Sequence, residues 1–448
     1  MSRLPDFRTP TNPDDSYLDH IAHETRVRAD QSADWSSPFT GAPATSLDVV
    51  TASLRDVDED VTALAHTIHG LAETAYEEHE SVAAITALLN NHGISTETGM
   101  FGVETTFRAS TGNGQGRTIA ILAEYDALPE IGHACGHNVI AASAVGAFLA
   151  LAKLHDKDPE AVPGTVVLLG TPAEEGHSGK EVMARAGAFD GVDAAIMVHG
   201  YGYDCAEQVW LGRRLLRVTF SGVAAHASAQ PFMGRNALDA ANLFYQGLGL
   251  LRQQMPQISR LHAVIADGGT RPSIITESAT VQCYVRSKYP DTLKELSDRV
   301  DDVARGAALM TGTGVDIDWD EHPPSLPVRT NSPLTARWAE HEQARGRTPL
   351  QGGVLDESIA ASTDFGNVSY RIPGIHPLIK VADSEVALHT RDFADAAQTP
   401  EAEDAVRDAA FGLAATALDY LVDDALAAEV SADFERDGGA IDVADYFN

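Results

Sequence analysis

Cys135 and His137, separated by one glycine in the stretch IGHACGHN, follow the apolar run Ile119–Ala123 and precede the small, apolar run Val139–Leu154. A thiol and an imidazole at the mouth of a buried helix are costly unless something binds them. Cys-x-His alone is a common pattern, so its meaning depends on what else the chain supplies. Three more apolar runs end in matching residue types. Val166–Gly170 leads into TPAEEGH with Glu174 and Glu175, Ala195–Val198 leads into His199, and Pro377–Val381 is followed by His389 in ALHT. In an open α/β sheet, ligands bind beyond the carboxyl ends of the strands. Four segments therefore bring thiolate, imidazole and carboxylate to one sheet edge.

These are the ligand types of zinc, and imidazole with carboxylate also suits manganese or cobalt. Cys135, His137, Glu175, His199 and His389 exceed what one tetrahedral catalytic ion with a water can use, but suit two divalent ions ~3.5–4 Å apart. Glu174, beside a ligand but itself free, is placed to take a proton from an activated water, a task suited to a pKa raised toward neutrality. Taken singly, each residue has a plainer reading. A strand-end histidine is more often a hydrogen-bonded loop residue, and paired glutamates often mark a helix N-terminus. The coincidence of five positions favours a metal site.

The elements needed to position these groups are legible. Short β-like runs at Glu104–Arg108, Thr118–Ala123, Gly164–Gly170 and Ala194–Val198 alternate with helical segments, predicting a largely parallel sheet covered by helices. Leu54–His92 carries helical periodicity up to Gly93. From Leu215 the order changes: strand Leu215–Ser221, helix Asn236–Arg252, strands Leu261–Asp267 and Thr280–Ser287, helix Asp291–Met310 and strand Val315–Asp320. That β-α-β-β-α-β order is the ferredoxin-like unit. His376–Val381 returns as a core strand and Ala402–Leu426 as a closing helix. The expected division is an N-terminal extension over 1–44, an α/β domain from 45–212 and 325–448, and an inserted ferredoxin-like unit over 213–324. The extension holds one short helix, Tyr17–Ala29, and reads as an accessory segment or an oligomer contact.

The 448 residues include 65 acidic against 32 basic side chains, for a formal net charge of −33. Such a surface argues against nucleic acid and anionic membranes as partners, since both call for lysine and arginine. The run Val139–Leu154 reads as too short and alanine-rich to span a bilayer. Three cysteines (135, 205 and 283) are too few and too odd in number for a disulfide framework, and the opening MSRLPDFRTPTNPDDSY lacks the apolar core of a signal peptide. The expected compartment is the reducing cytoplasm.

With these residues in view, the chain resembles the aminoacylase/carboxypeptidase G family of dinuclear metallopeptidases. Within it, the likeness is to the amidohydrolase branch with a Cys-Gly-His metal motif, of the aminobenzoyl-glutamate hydrolase and β-alanyl-lysine dipeptidase type. The stretches that carry it are IGHACGHN, TPAEEG, VHG, GVAAHASAQPFMGRNALDA, STDFGNVSYRIPGIHP and ALHT, spread from about Leu54 to Leu421. The resemblance implies a zinc-exopeptidase-like fold whose ferredoxin-like lid forms a homodimer. It implies two metals (Zn²⁺ or Mn²⁺, with Co²⁺ also suited) on Cys135, His137, Glu175, His199 and His389, with Glu174 as general base. It further implies that His226 of the lid's GxxxHA motif stabilises the oxyanion, often across the dimer, and that Asn236 and Arg286 contact substrate. Where relatives read P-N-I-I-P this chain has Ser273 in place of the substrate-contacting Asn, and Asn138 stands where Asp is frequent. The implied activity is hydrolysis of an N-acyl amino acid or dipeptide with a free carboxylate. The alternative is a non-catalytic metal- or partner-binding protein on the same fold.

Overall fold

Two sheets organise the computed structural model, which describes residues 10, 11 and 13–447. The larger has six strands in the order 97–98, 107–111, 165–170, 118–123, 194–196, 374–375. Its inner pairings, Thr118–Ala123 with Thr165–Gly170 and with Ala194–Ile196, and the latter with Gly374–Ile375, are parallel; Phe107–Thr111 joins antiparallel. Parallel strands need cover on both faces, and TIAILA and TVVLLG are apolar throughout and buried. Ile119 and Ile121 face a layer built on helices Ala44–Leu71, His137–Lys157 and Pro400–Val422, whereas Ala120 and Leu122 face Met183, Phe365 and Val368.

Helix His137–Lys157 is the centre of this layer. By length and composition it could cross a membrane, but nearly all of it is buried inside the fold. Its small residues let neighbouring helices approach closely. A Cβ on Gly146 would lie 3.1 Å from the Ala410 methyl and 3.4 Å from Val61.

Several elements are broken where the sequence predicts continuity. His376–Val381 is not one strand: Gly374–Ile375 belongs to the central sheet and Leu378–Lys380 pairs with His199–Tyr201, on either side of Pro377, which has no N–H to give a ladder. The closing helix is two, Pro400–Val422 and Asp424–Arg436, because the Asp423 carboxylate accepts from the N–H groups of Ala425 and Leu426 and starts a new helix. Leu54–His92 likewise divides into Ala44–Leu71 and His79–Asn91, the first ending at Ala72 in the left-handed region. The described part of the N-terminal extension packs on its own chain. Trp35 Nε1 donates to the Pro349 carbonyl at 2.8 Å, and the backbone N–H of Ala42 donates to Asp419.

The second sheet is wholly antiparallel, in the order 314–319, 212–221, 278–287, 260–267, and helices Ala237–Leu251 and Pro290–Thr311 pack on it around a separate core. This is the ferredoxin-like lid. The chain enters it and leaves it side by side, since Arg213 and Ser325 exchange backbone hydrogen bonds of 2.7 and 2.9 Å.

Candidate active site

The strand ends of the larger sheet deliver the polar groups. Gly136, at φ 72°, turns the loop so that His137 opens the buried helix. Three sets of ligand atoms each lie within 4.8 Å of one another: Cys135, His137 and His199; Cys135, Glu175 and His389; and His137, Glu174 and Glu175. Cys135 links the first two sets, with its Sγ 3.0 Å from Nε2 of His389. His389 holds a positive φ of 60°, an uncommon conformation for a residue with a Cβ.

The surroundings fix the direction in which each donor points. His137 directs Nδ1 at the backbone and side chain of Asp126, and His199 directs Nδ1 at the Gly200 carbonyl, 2.7 Å away. Each imidazole therefore presents Nε2. The other oxygen of Asp126 accepts from the Glu175 N–H at 2.9 Å. Among the described residues, His137 Nε2 and Glu175 Oε1 are buried without a hydrogen-bond partner, an arrangement that costs about 1–3 kcal/mol per group unless something binds there. This donor set, with its unpartnered atoms, fits divalent cations.

Electrostatics distinguish the groups. Burial, then His137, brings the His199 imidazole down to about 4, so it is neutral and able to ligate. Burial, then the charges of Glu124 and Glu175, pushes the Glu174 carboxyl well above the ordinary range. Beneath it lies a buried ion cluster. Lys180 Nζ binds Glu124 and, at 2.6 Å, Asp364, while the second Glu124 oxygen stands 3.4 Å from His137 Nε2. Glu124, Asp126, Lys180 and Asp364 were not singled out by sequence reasoning. The first two lie at a strand end inside EYD, a usable signal; nothing in sequence ties Lys180 to Asp364.

Cys135, Glu174, Glu175, His199 and His389 line a cavity of about 280 Å³, closed on the lid side by Arg213, Arg260 and Arg286. Arg286 thus meets the metal-ligand candidates. His226, Asn236 and Ser273 are not among the residues lining it. His226 is exposed, and its Nδ1 accepts from the N–H groups of Ser228 and Ala229 at 3.3 Å, which leaves Nε2 as a donor. Asn236 caps the helix Ala237–Leu251 by accepting from Leu238, and Ser273 is exposed, with its carbonyl bonded to Ala227. The three sit together at the far end of the lid, since Arg213, Arg260 and Arg286 occupy the ends of their strands nearest the catalytic sheet.

Comparison with known proteins identifies the family. Residues 120–408 match the family model "Peptidase family M20/M25/M40". The chain is 36% identical to the Xaa-Arg dipeptidase of Mus musculus, over 84% of this chain and 89% of that one. It is 29% identical to a chain of the p-aminobenzoyl-glutamate hydrolase of Escherichia coli K12, over 84% and 92%. Among solved structures, the Bacillus subtilis YXEP protein, described as a dinuclear metal binding peptidase, superposes with a TM-score of 0.65 at 20% identity, covering 82% of this chain and 99% of that one. The chain belongs to peptidase family M20/M25/M40 and is a hydrolase of amide or peptide bonds.

Proposed function

We propose that the protein hydrolyses the amide bond of an N-acyl amino acid or dipeptide that carries a free carboxylate, with two divalent ions, zinc or manganese or else cobalt, as cofactors. The observation that carries this reading is the clustering of five metal-type donors, four of them lining one cavity and His137 grouped with them, with a buried glutamate beside them and an arginine facing them. Cys135, His137, Glu175, His199 and His389 would hold the ions. When bound, such ions polarise the scissile carbonyl and lower the pKa of water.

The chain's own residues do the rest. Glu174, kept from water and with its carboxyl pKa raised, takes the proton of the attacking water and returns it to the leaving nitrogen. Arg286 pairs with the substrate carboxylate. His226, whose Nε2 is left as a donor, would stabilise the oxyanion, a contact worth about 2.7–4 kcal/mol in comparable settings. Because His226 lies outside this chain's cavity, it would serve the site of a second copy, in a homodimer formed through the lid, with Asn236 and Ser273 touching substrate beside it. The lid's surface supports that assembly: among the described residues, eleven of fifteen exposed large hydrophobic side chains lie between 212 and 319.

The test is hydrolysis of a panel of dipeptides and N-acyl amino acids by chelated protein, then after adding back Zn²⁺, Mn²⁺ or Co²⁺. Cleavage restored by metal is the expected result. No cleavage across the panel with about two ions bound per chain would overturn the reading.

A further inference from the structure

Arg213, Arg286 and Arg260 form a single row across three adjacent strands of the lid: Arg213 lies directly opposite Arg286, and Arg286 directly opposite Arg260. Residues paired in this way share one face of the sheet, and all three of these line the catalytic cavity. Like charges placed directly opposite one another destabilise a sheet. The row is therefore a cost to the fold, and it occurs in a chain whose acidic side chains outnumber the basic ones by 65 to 32.

Carboxylates are abundant, yet none of the three arginines forms an ion pair among the described residues. Arg213 reaches the Ser178 hydroxyl at 3.3 Å, Arg260 bonds to the carbonyls of Gln257, Ser259 and Ser358, and Arg286 lies over the Tyr284 ring at 4.6 Å. Elsewhere the lid pairs its arginines readily, as with Arg214 and Asp320 at 2.6 Å or Arg217 and Glu321 at 2.7 Å. The carboxylates that share the cavity, Glu174 and Glu175, are assigned above to proton transfer and to metal. An unneutralised row of guanidinium groups facing the reacting centre calls for an anion from outside.

One α-carboxylate is satisfied by one guanidinium, which binds it through two parallel hydrogen bonds. Three arginines spread over roughly 10 Å of sheet, at about 4.8 Å per strand, exceed that need. Resting on the hydrolase reading above, we propose that the arginine row is a subsite for a second acid group, so that the amino acid released is an acidic one of the glutamate or aspartate class. Arg286 holds the α-carboxylate, and Arg260 and Arg213 hold the side-chain carboxylate. A substrate ending in arginine or lysine would set cation against cation at this row, so the residue released is expected to differ from the one in the name of the Xaa-Arg dipeptidase relative.

The decisive comparison is N-acetylglutamate against N-acetylglutamine, which have nearly the same shape and differ by the side-chain charge, with N-acetylarginine as the opposite charge. On metal-loaded protein, kcat/KM for the glutamate compound is expected to exceed that for glutamine by about tenfold or more, with arginine lowest. Arg260→Gln, or Arg213→Gln where the first does not fold, is expected to bring the glutamate-to-glutamine ratio of kcat/KM down toward one, by a larger loss on glutamate than on glutamine. Equal rates for the two in the parent protein, or an equal loss on both in the variants, would overturn the subsite. Calorimetric binding of the same pair to metal-loaded Glu174→Gln protein separates the two proposals. Tighter glutamate binding without turnover in the parent would keep the subsite and remove the hydrolase reading, whereas turnover with no charge preference would do the reverse.

Discussion

Nδ1 of His137 lies 2.8 Å from the carbonyl oxygen of Asp126 and 3.0 Å from its Oδ1. Burial opposes charge at both residues, but the pairing outweighs it: Asp126 is held below the ordinary carboxylate range and His137 well above the ordinary imidazole one. The contact fixes which nitrogen faces the cavity. Asp126→Asn is therefore expected to weaken divalent-metal affinity about 10–100-fold, as such outer contacts do elsewhere. A titration with Zn²⁺ or Mn²⁺ checks this, and an unchanged affinity would show that His137 does not depend on Asp126 for its orientation.

Glu174→Gln keeps the shape of the side chain and removes its ability to accept a proton. Turnover is expected to fall about 10²–10⁴-fold, with the bound metal per chain unchanged by elemental analysis. A variant that loses its metal in parallel would make Glu174 a ligand instead of a base.

Lys180 is wholly buried between Glu124 and Asp364. Lys180→Met would leave two carboxylates in the interior without their cation, and breaking a buried pair in this way costs about 3–5 kcal/mol. Denaturant unfolding should show that loss. Lys180→Met combined with Glu124→Gln and Asp364→Asn should recover part of it, since no unpaired charge then remains.

Glu342 gives the fold a pH dependence away from the cavity. Burial is the main reason its carboxyl is raised to about 8, against the nearby charge of Arg347, and among the described residues neither carboxyl oxygen has a hydrogen-bond partner. The folded chain keeps this proton after the unfolded chain has released its own. Stability from this group is thus present below the usual value of about 4.5, declines as pH rises toward about 8, and is level above that. Glu342→Gln should flatten the slope: its melting temperature relative to the parent rises between pH 5 and pH 8. A difference that stays constant with pH would show that Glu342 is ionised in the folded state.

Local pattern made much of this protein legible. Strands such as TIAILA declare themselves by unbroken apolar character, and the groups just beyond them had to share an edge once the sheet was parallel. What could not be read depends on contacts between distant segments. Lys180 meets Asp364 across 184 positions, and no periodicity reports that. The arginine row needed the register of three strands, since Arg213, Arg260 and Arg286 share no motif. Breaks were missed where one residue overrides a longer pattern, as Pro377 does in a strand and Asp423 between two helices. His226 was legible as a motif residue, but its motif says nothing of its distance from this chain's own cavity.

The paired entry and exit at Arg213 and Ser325 form a two-stranded axle between the lid and the catalytic sheet, and further ties, Lys288 to Glu357 and Lys294 to the Tyr446 carbonyl, hold the lid in the position described. Turning about such an axle displaces each group in proportion to its distance from it. Arg213, Arg286 and Arg260 sit near that axle, so a turn about it would displace them least. His226 lies beyond the far end of the ten-residue strand Gly212–Ser221, about 30 Å along it, so a small rotation at the pivot becomes a large sweep at its imidazole. An anion held by these arginines would therefore sit where such a turn moves the lid least, and far from the imidazole that it would move most.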